Sequence, residues 1–248
     1  MIRNILLFLL FSTYAFSGTI RIAVAANVSY AIEDIKDAFA KKHPDTKVQV
    51  ILGSSGKLTA QIKNAAPYDL FMSANMKYPE ALYADKMALT KPVVYAKGTL
   101  AYLSVKSYDL SKGIDIVKDT KIKKIAVANP KTAPYGIAAK EALENAGLYD
   151  AVKNKFIFGE SVSQTVSFTV TAADLGFIAK SSLYSKQMQQ YKEGKHWREV
   201  DPKLYTPIEQ GIVILKRGAG NAEVKAFYDF MLSDEAKNIL LKFGYRLP

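Results

Sequence analysis

Apolar residues recur along this chain in two alternating rhythms, short β-branched runs and stretches at helical spacing. Residues 19–26, Thr-Ile-Arg-Ile-Ala-Val-Ala-Ala, read as a first strand. Asn27 and Ser29 offer caps to a helix whose Ile32, Ile35 and Phe39 share one face. Residues 47–52 give the next strand, and Leu58 and Ile62 resume helical spacing after Gly53-Ser54-Ser55-Gly56. A third strand over 69–74 follows Pro67 and precedes a short helix over 80–86. This order predicts a parallel sheet with helical crossovers.

The rhythm changes near Pro92, where 93–95 and 99–105 make a long extended stretch able to cross between lobes. A second α/β set follows, with a strand over 124–128 and a helix over 137–146 entered through Ala133-Pro134-Tyr135-Gly136. Pro134 suits a first helical turn, where its missing N–H is not needed. Residues 156–158 are a strand, a helix opens at Gly159-Glu160-Ser161-Val162, and the strand 175–179 ends at Lys180-Ser181-Ser182. A second long extended run over 205–215 leads to a largely helical stretch over 222–241. Two long β segments, one leaving and one returning, predict a discontinuous first lobe: 18–96 and 205–248, with a second lobe over 97–204 between them. The hinge is expected at 96–98 and 205–207.

Residues 1–17 carry Arg3, an apolar run over 5–11 and Ala15-Phe16-Ser17, the pattern of a secretory leader; the run is too short to span a bilayer. Removing it leaves the net charge near its whole-chain value of +11. In an exported protein such charge suits small anions or solubility rather than nucleic acid, and the lysines are dispersed. There is no cysteine for a disulfide or a lipid anchor, and a chain of this length can bury its core without one. A periplasmic monomer is the expectation, with no membrane insertion after cleavage.

The turn at 53–56 concentrates the candidate chemistry. Glycines let the backbone come close to a ligand, and a helix beginning there aims its free N–H groups and positive dipole end at one point. The turns at 133–136 and 159–162 repeat the design. Neither 53–56 nor 133–136 contains a carboxylate, although Glu160 flanks the third turn. A set of donors without acceptors suits a proton-free tetrahedral dianion and disfavours one that keeps a proton. Molybdate, tungstate and sulfate all meet that condition. The segment is a poor P-loop, because its first glycine is too close and Leu58 replaces the magnesium-binding hydroxyl. Ser54 and Lys57 also satisfy the Ser-x-x-Lys pattern of serine acyl-transferases, but no Lys-Thr-Gly follows late in the chain. The two histidines, His43 and His196, lack metal-ligand spacing, while the fifteen tyrosines keep a ferric-iron binding protein as a rival.

Ala25-Ala26-Asn27, Gly53-Ser54-Ser55-Gly56, the stretch 66–74 and Val127-Ala128-Asn129-Pro130 resemble segments of the periplasmic molybdate-binding proteins of ABC importers. So do Ala133-Pro134-Tyr135-Gly136, Leu175-Gly176-Phe177-Ile178 and 225–230, in register over almost the whole chain after the leader. The resemblance implies a two-lobed, type II periplasmic-binding-protein clamshell, α/β in class. Each lobe would be a mixed, mostly parallel sheet flanked by helices, with the ligand in the cleft. It further implies no catalysis, no cofactor, a molybdate or tungstate ligand held without direct protein–metal bonds, and a membrane permease as partner. By the same resemblance Ser55 matches the serine donor of the second turn, and Tyr135 and Val162 donate backbone N–H groups; Ser54, beside Ser55, is a further candidate ligand. The family's first serine is Asn27 here, and its usual late tyrosine is Ala179. Asn27 can donate through its amide or its N–H, and Lys180, Ser181 or the phenol of Tyr135 would replace the lost hydroxyl. An alternative leaves Tyr135 pointing outward as a cap on the cleft.

Overall fold

The computed structural model describes residues 18–248, so the expected leader lies outside the described residues. Strand β1 (Gly18–Ala25) runs into a 3-10 turn over 26–30 and then helix α1 (Ile32–Lys42). Strands β2 (Thr46–Gly53) and β3 (Leu70–Ser73) flank β1 in parallel, separated in sequence by α2 (Ser55–Lys63). Helix α3 (Lys77–Ala84) leads to β4 (Val93–Gly98). The chain then leaves this sheet and enters another at β5 (Leu100–Leu103).

The second sheet adds β6 (Ile125–Ala128), α4 (Pro134–Asn145), α5 (Tyr149–Val152) and β7 (Phe156–Gly159). Helix α6 (Val162–Thr171), β8 (Leu175–Ala179) and β9 (Trp197–Glu199) complete it. The return strand β10 (Ile208–Ile214) inserts between β3 and β4 of the first sheet, and α7 (Ala222–Leu232) and α8 (Asp234–Lys242) pack there. The strand orders are β2-β1-β3-β10-β4 and β7-β6-β8-β5-β9. In each sheet the βα units pair in parallel, while the strands next to the crossings, β10 and β4 in one and β5 and β9 in the other, pair antiparallel.

Each sheet buries both faces, which is why its central strands read as nearly unbroken apolar runs. In the first lobe Ile22, Val24, Phe39, Met72 and Phe227 fill one side, and Phe39 meets Phe227 edge-on at 5.1 Å. Leu58, Ile62, Phe71 and Val213 fill the other. In the second lobe Tyr102, Ile125, Val127, Leu143 and Phe177 pack together, with Leu103, Val166, Ile178 and Trp197 opposite.

One local expectation is corrected and another is refined. Asn27 and Ser29 cap nothing: α1 begins at Ile32 behind Ala31, which makes no side-chain cap bond. The helical stretch over 222–241 is two helices, because Ser233 takes an extended conformation, accepts from the N–H of Ala236 with its hydroxyl, and restarts the helix.

Candidate functional site

The C-terminal ends of β1, β2, β6 and β7 face one another across the cleft, and each feeds a turn that starts a helix. A small cavity of about 10 Å³ lies where they meet. Asn27, Ser54 and Ser55 line it from the first lobe, and Ala133, Tyr135 and Val162 line it from the second. At that size it holds about one water-sized sphere and has no room for an organic ligand. A hollow of about 250 Å³ behind the hinge, near Asn75, Pro134 and Thr206, is an open groove of mostly apolar lining.

Ser55 is fully buried, and its Oγ accepts a hydrogen bond from the Ala74 N–H at 2.9 Å. With that lone pair occupied, the hydroxyl proton is left to be donated. Ser55 is the first residue of α2, Pro134 and Tyr135 the first two of α4, and Val162 the first of α6. Three helices of eight residues or more, from both lobes, therefore present their positive ends to one small space. The Ser161 hydroxyl accepts from Gln164 N at 3.3 Å and the Gln164 side chain accepts from Glu160 N at 2.6 Å, which fixes the α6 turn.

Asn27, 1% exposed, is held from below. Its Nδ2 donates to Gln210 Oε1 and to the Tyr245 hydroxyl, each at 2.8 Å, and Tyr245 donates back to the Asn27 carbonyl at 2.9 Å. Gln210 is oriented in turn by donating to the Ile208 carbonyl at 3.1 Å. With Nδ2 spent in this way and Oδ1 buried without a partner, the backbone N–H at the start of the 26–30 turn is the donor Asn27 has left for the cavity.

Several expected residues stand elsewhere. Lys180 does not line the cavity: its ammonium pairs with Glu199 and lies over the Trp197 and Tyr184 rings. A carboxylate is a strong partner for a half-buried ammonium. Ser181 donates to the Asn27 carbonyl at 3.0 Å, so its proton is already used. Ser54 lines the cavity, but its hydroxyl is 3.3 Å from Glu160 Oε1, donating outward to the rim. Tyr135 does not cap the cleft from outside; it is 2% exposed. Its phenol turns to the hinge, 2.1 Å from where a Gly98 Cβ would stand, and has no hydrogen-bond partner. Burial, with the Tyr245, Tyr205 and Tyr95 phenols nearby, pushes its pKa well up.

Lys57 forms an ion pair with Glu160 at 3.5 Å, across the cleft. Ser54 contacts the same carboxylate, so the serine and the lysine both face Glu160. Among the described residues no group of three or more His, Cys, Asp and Glu is placed to hold a metal ion. The buried Tyr95 and Tyr135 phenols have their pKa raised by desolvation. Among the described residues no helix is long and apolar enough to cross a membrane.

Other contacts across the closed cleft join residues whose pairing carries no local sequence signal. Gly56 N donates to the Thr132 carbonyl at 2.8 Å and Tyr78 approaches it at 3.4 Å, both from the first lobe to the second. Ser163 Oγ donates to the Ala26 carbonyl at 2.7 Å. Gln210 and Tyr245 reach Asn27 from 183 and 218 residues away.

The family model for bacterial extracellular solute-binding proteins matches residues 20–246. The chain is 35% identical over 233 residues to the molybdate-binding protein ModA of Rhodobacter capsulatus, covering 93% of this chain and 89% of that one. The solved periplasmic molybdate-binding protein of Azotobacter vinelandii superposes with a TM-score of 0.85 at 33% identity, covering 92% of this chain and 99% of that chain. The sulfate-binding protein SubI of Mycobacterium tuberculosis shares the fold, with a TM-score of 0.73 at 14% identity, over 93% of this chain and 87% of that one. The chain belongs to the bacterial extracellular solute-binding proteins and, within them, to the family of the molybdate-binding proteins.

Proposed function

We propose that the protein captures molybdate or tungstate outside the cytoplasmic membrane and delivers it to the permease of an ABC importer, without catalysing a reaction. The observation that carries this reading is the convergence of donors on one small cavity: the Ser55 hydroxyl and the starts of α2, α4 and α6. The N–H groups of Asn27, Tyr135 and Val162 join the Ser55 hydroxyl as ligands of the anion. No carboxylate lines the space, and the nearest one, Glu160, is engaged at the rim by Ser54 and Lys57. A fully deprotonated tetrahedral dianion matches such a set, because each of its oxygens only accepts. The names of the relatives point to the same ligand class. Periplasmic localisation and release to a permease follow from the relatives and belong to the same proposal, as does a monomeric state.

Calorimetric titration of the chain without residues 1–17 tests it, using molybdate, tungstate, sulfate, phosphate and ferric citrate. Saturable binding of the two metalates, with a rise in melting temperature, is the expected result; at a hundred times Kd the stabilisation is about 2.7 kcal/mol. Tight binding of phosphate or ferric citrate with none of molybdate would overturn the reading.

A further inference from the structure

The 26–30 turn belongs to the first lobe by connectivity, lying between β1 and α1. Much of what holds it comes from the second lobe. Ser163 in α6 donates to the Ala26 carbonyl at 2.7 Å and meets the Ser29 hydroxyl at 3.2 Å. Ser181, just beyond β8, donates to the Asn27 carbonyl at 3.0 Å. The Tyr30 ring packs against a second-lobe cluster that includes Leu103, Val166, Ile178 and Trp197. One end of the turn thus faces the anion cavity while the other is seated in the opposite lobe.

We propose that Tyr30 and Ser163 are positioning residues for anion capture, docking this turn onto the second lobe and so setting part of the affinity through contacts that never touch the anion. The inference rests on the oxyanion reading above. Parting the lobes would expose the Tyr30 ring and the apolar cluster beneath it, and would leave the Ala26 and Asn27 carbonyls without their serine donors. Both effects favour the closed arrangement before any ligand binds. A ligand that needs closure then binds with an apparent affinity scaled by the fraction already closed. Because the turn carries the Asn27 N–H, its docking also fixes where that donor points. The effect is general to any anion the cavity accepts, since the contacts lie outside it.

The test uses Tyr30→Ala, Tyr30→Phe and Ser163→Ala, each checked for folding by circular dichroism. Titration with molybdate and with tungstate, stopped-flow dissociation, and small-angle scattering of the ligand-free protein are the readouts. Tyr30→Ala is expected to weaken both anions by the same factor, about tenfold, through faster dissociation, and to enlarge the ligand-free radius of gyration. Tyr30→Phe keeps the ring and should stay within about twofold of the parent, and Ser163→Ala should weaken both anions several-fold. Unchanged affinity in Tyr30→Ala, or a loss confined to one anion, would overturn the inference. Should Tyr30→Ala fail to fold, Ser163→Ala decides it: a several-fold loss for both anions supports the inference, and unchanged affinity or a loss confined to one anion overturns it. A parent protein that binds neither metalate refutes the oxyanion reading instead, and scattering of the ligand-free variants still reports whether Tyr30 holds the lobes together.

Discussion

Substituting Gly56 by alanine should separate folding from binding. Gly56 lies in the first turn of α2, and its backbone is ordinary helix, so alanine imposes no strain on its own lobe. In that lobe the nearest atom to an added Cβ would be the Tyr78 hydroxyl, at 2.8 Å, the far end of a side chain that can move. Across the cleft it would stand 2.9 Å from both the Cα and the carbonyl oxygen of Thr132, which are backbone and cannot yield alone. Ordinary contact begins near 3.4 Å, so the lobes must part by about half an ångström at this point. That displacement also stretches the Gly56 N–Thr132 O bond, now 2.8 Å. Overpacking costs about 1–3 kcal/mol and the weakened bond about 1 kcal/mol. The total, about 2–4 kcal/mol, corresponds to a loss of affinity from about thirtyfold to nearly a thousandfold. The ligand-free protein should melt at the same temperature or higher, since alanine is favoured over glycine inside a helix by about 0.5–1 kcal/mol. Calorimetric titration with molybdate, beside thermal melts with and without the anion, measures both sides. A Gly56→Ala protein binding within threefold of the parent would show that α2 and the Thr132 turn do not meet in the bound state.

Three further outcomes follow from the site and its support. Ser55→Ala should fold but bind molybdate roughly ten- to a hundredfold more weakly, because it removes a charge-assisted donor worth about 1.5–3 kcal/mol; titration reads it, and an unchanged Kd removes Ser55 from the site. Tyr135→Phe should leave anion affinity within about twofold, since the phenol is unpartnered and faces Gly98; a tenfold loss on titration would mean that the hydroxyl reaches the anion. Asp174 supports the second lobe by accepting from Lys123 N at 2.8 Å and Lys124 N at 2.9 Å and by pairing with Lys106. Burial alone would raise its carboxyl, but the Lys106 ammonium and the two N–H groups outweigh it and hold the pKa below the usual range. Its contribution is therefore complete above the unfolded value, about 3.9, and is lost as pH falls through the lower folded one. Asp174→Asn should cost about 1–2 kcal/mol at neutral pH in urea unfolding, with the difference shrinking below about pH 4; a constant difference down to pH 2 contradicts the assignment.

What could be read from the chain was set by what is local. The strand-to-helix turns at 53–56, 133–136 and 159–162 announce themselves by glycine, serine and proline beside apolar runs, and they do line the cavity or its rim. The two crossings were legible as long extended stretches, and the sheets change there, between β4 and β5 and again between β9 and β10. The support beneath Asn27 had no such signal: Gln210 reads as an interior strand residue and Tyr245 as a late aromatic, and only the folded chain brings them together. Lys180 was misplaced for a related reason. Its position after a sheet strand suggested a ligand, while the carboxylate that claims it lies nineteen residues on, in the short strand β9. Asn27 and Ser29 are good cap residues, yet 26–30 is a 3-10 turn whose carbonyls accept from Ser163 and Ser181 of the opposite lobe, contacts that carry no local signal.

The bond between Asn27 and Tyr245 has a consequence for the order in which the molecule assembles. Its partners are 218 residues apart, and the entire second sheet is threaded between them. The second lobe is continuous in sequence, so most of its pairings close shorter loops and can form early. The first lobe must wait for β10 to return between β3 and β4, and the floor under Asn27 waits longer still. During refolding, pulsed hydrogen exchange should therefore protect β6 and β8 before β10, with anion binding recovered last. Protection of β3 and β10 ahead of β6 and β8 would contradict that sequence. A chain arranged in this way completes its anion site only when nearly all of it has folded.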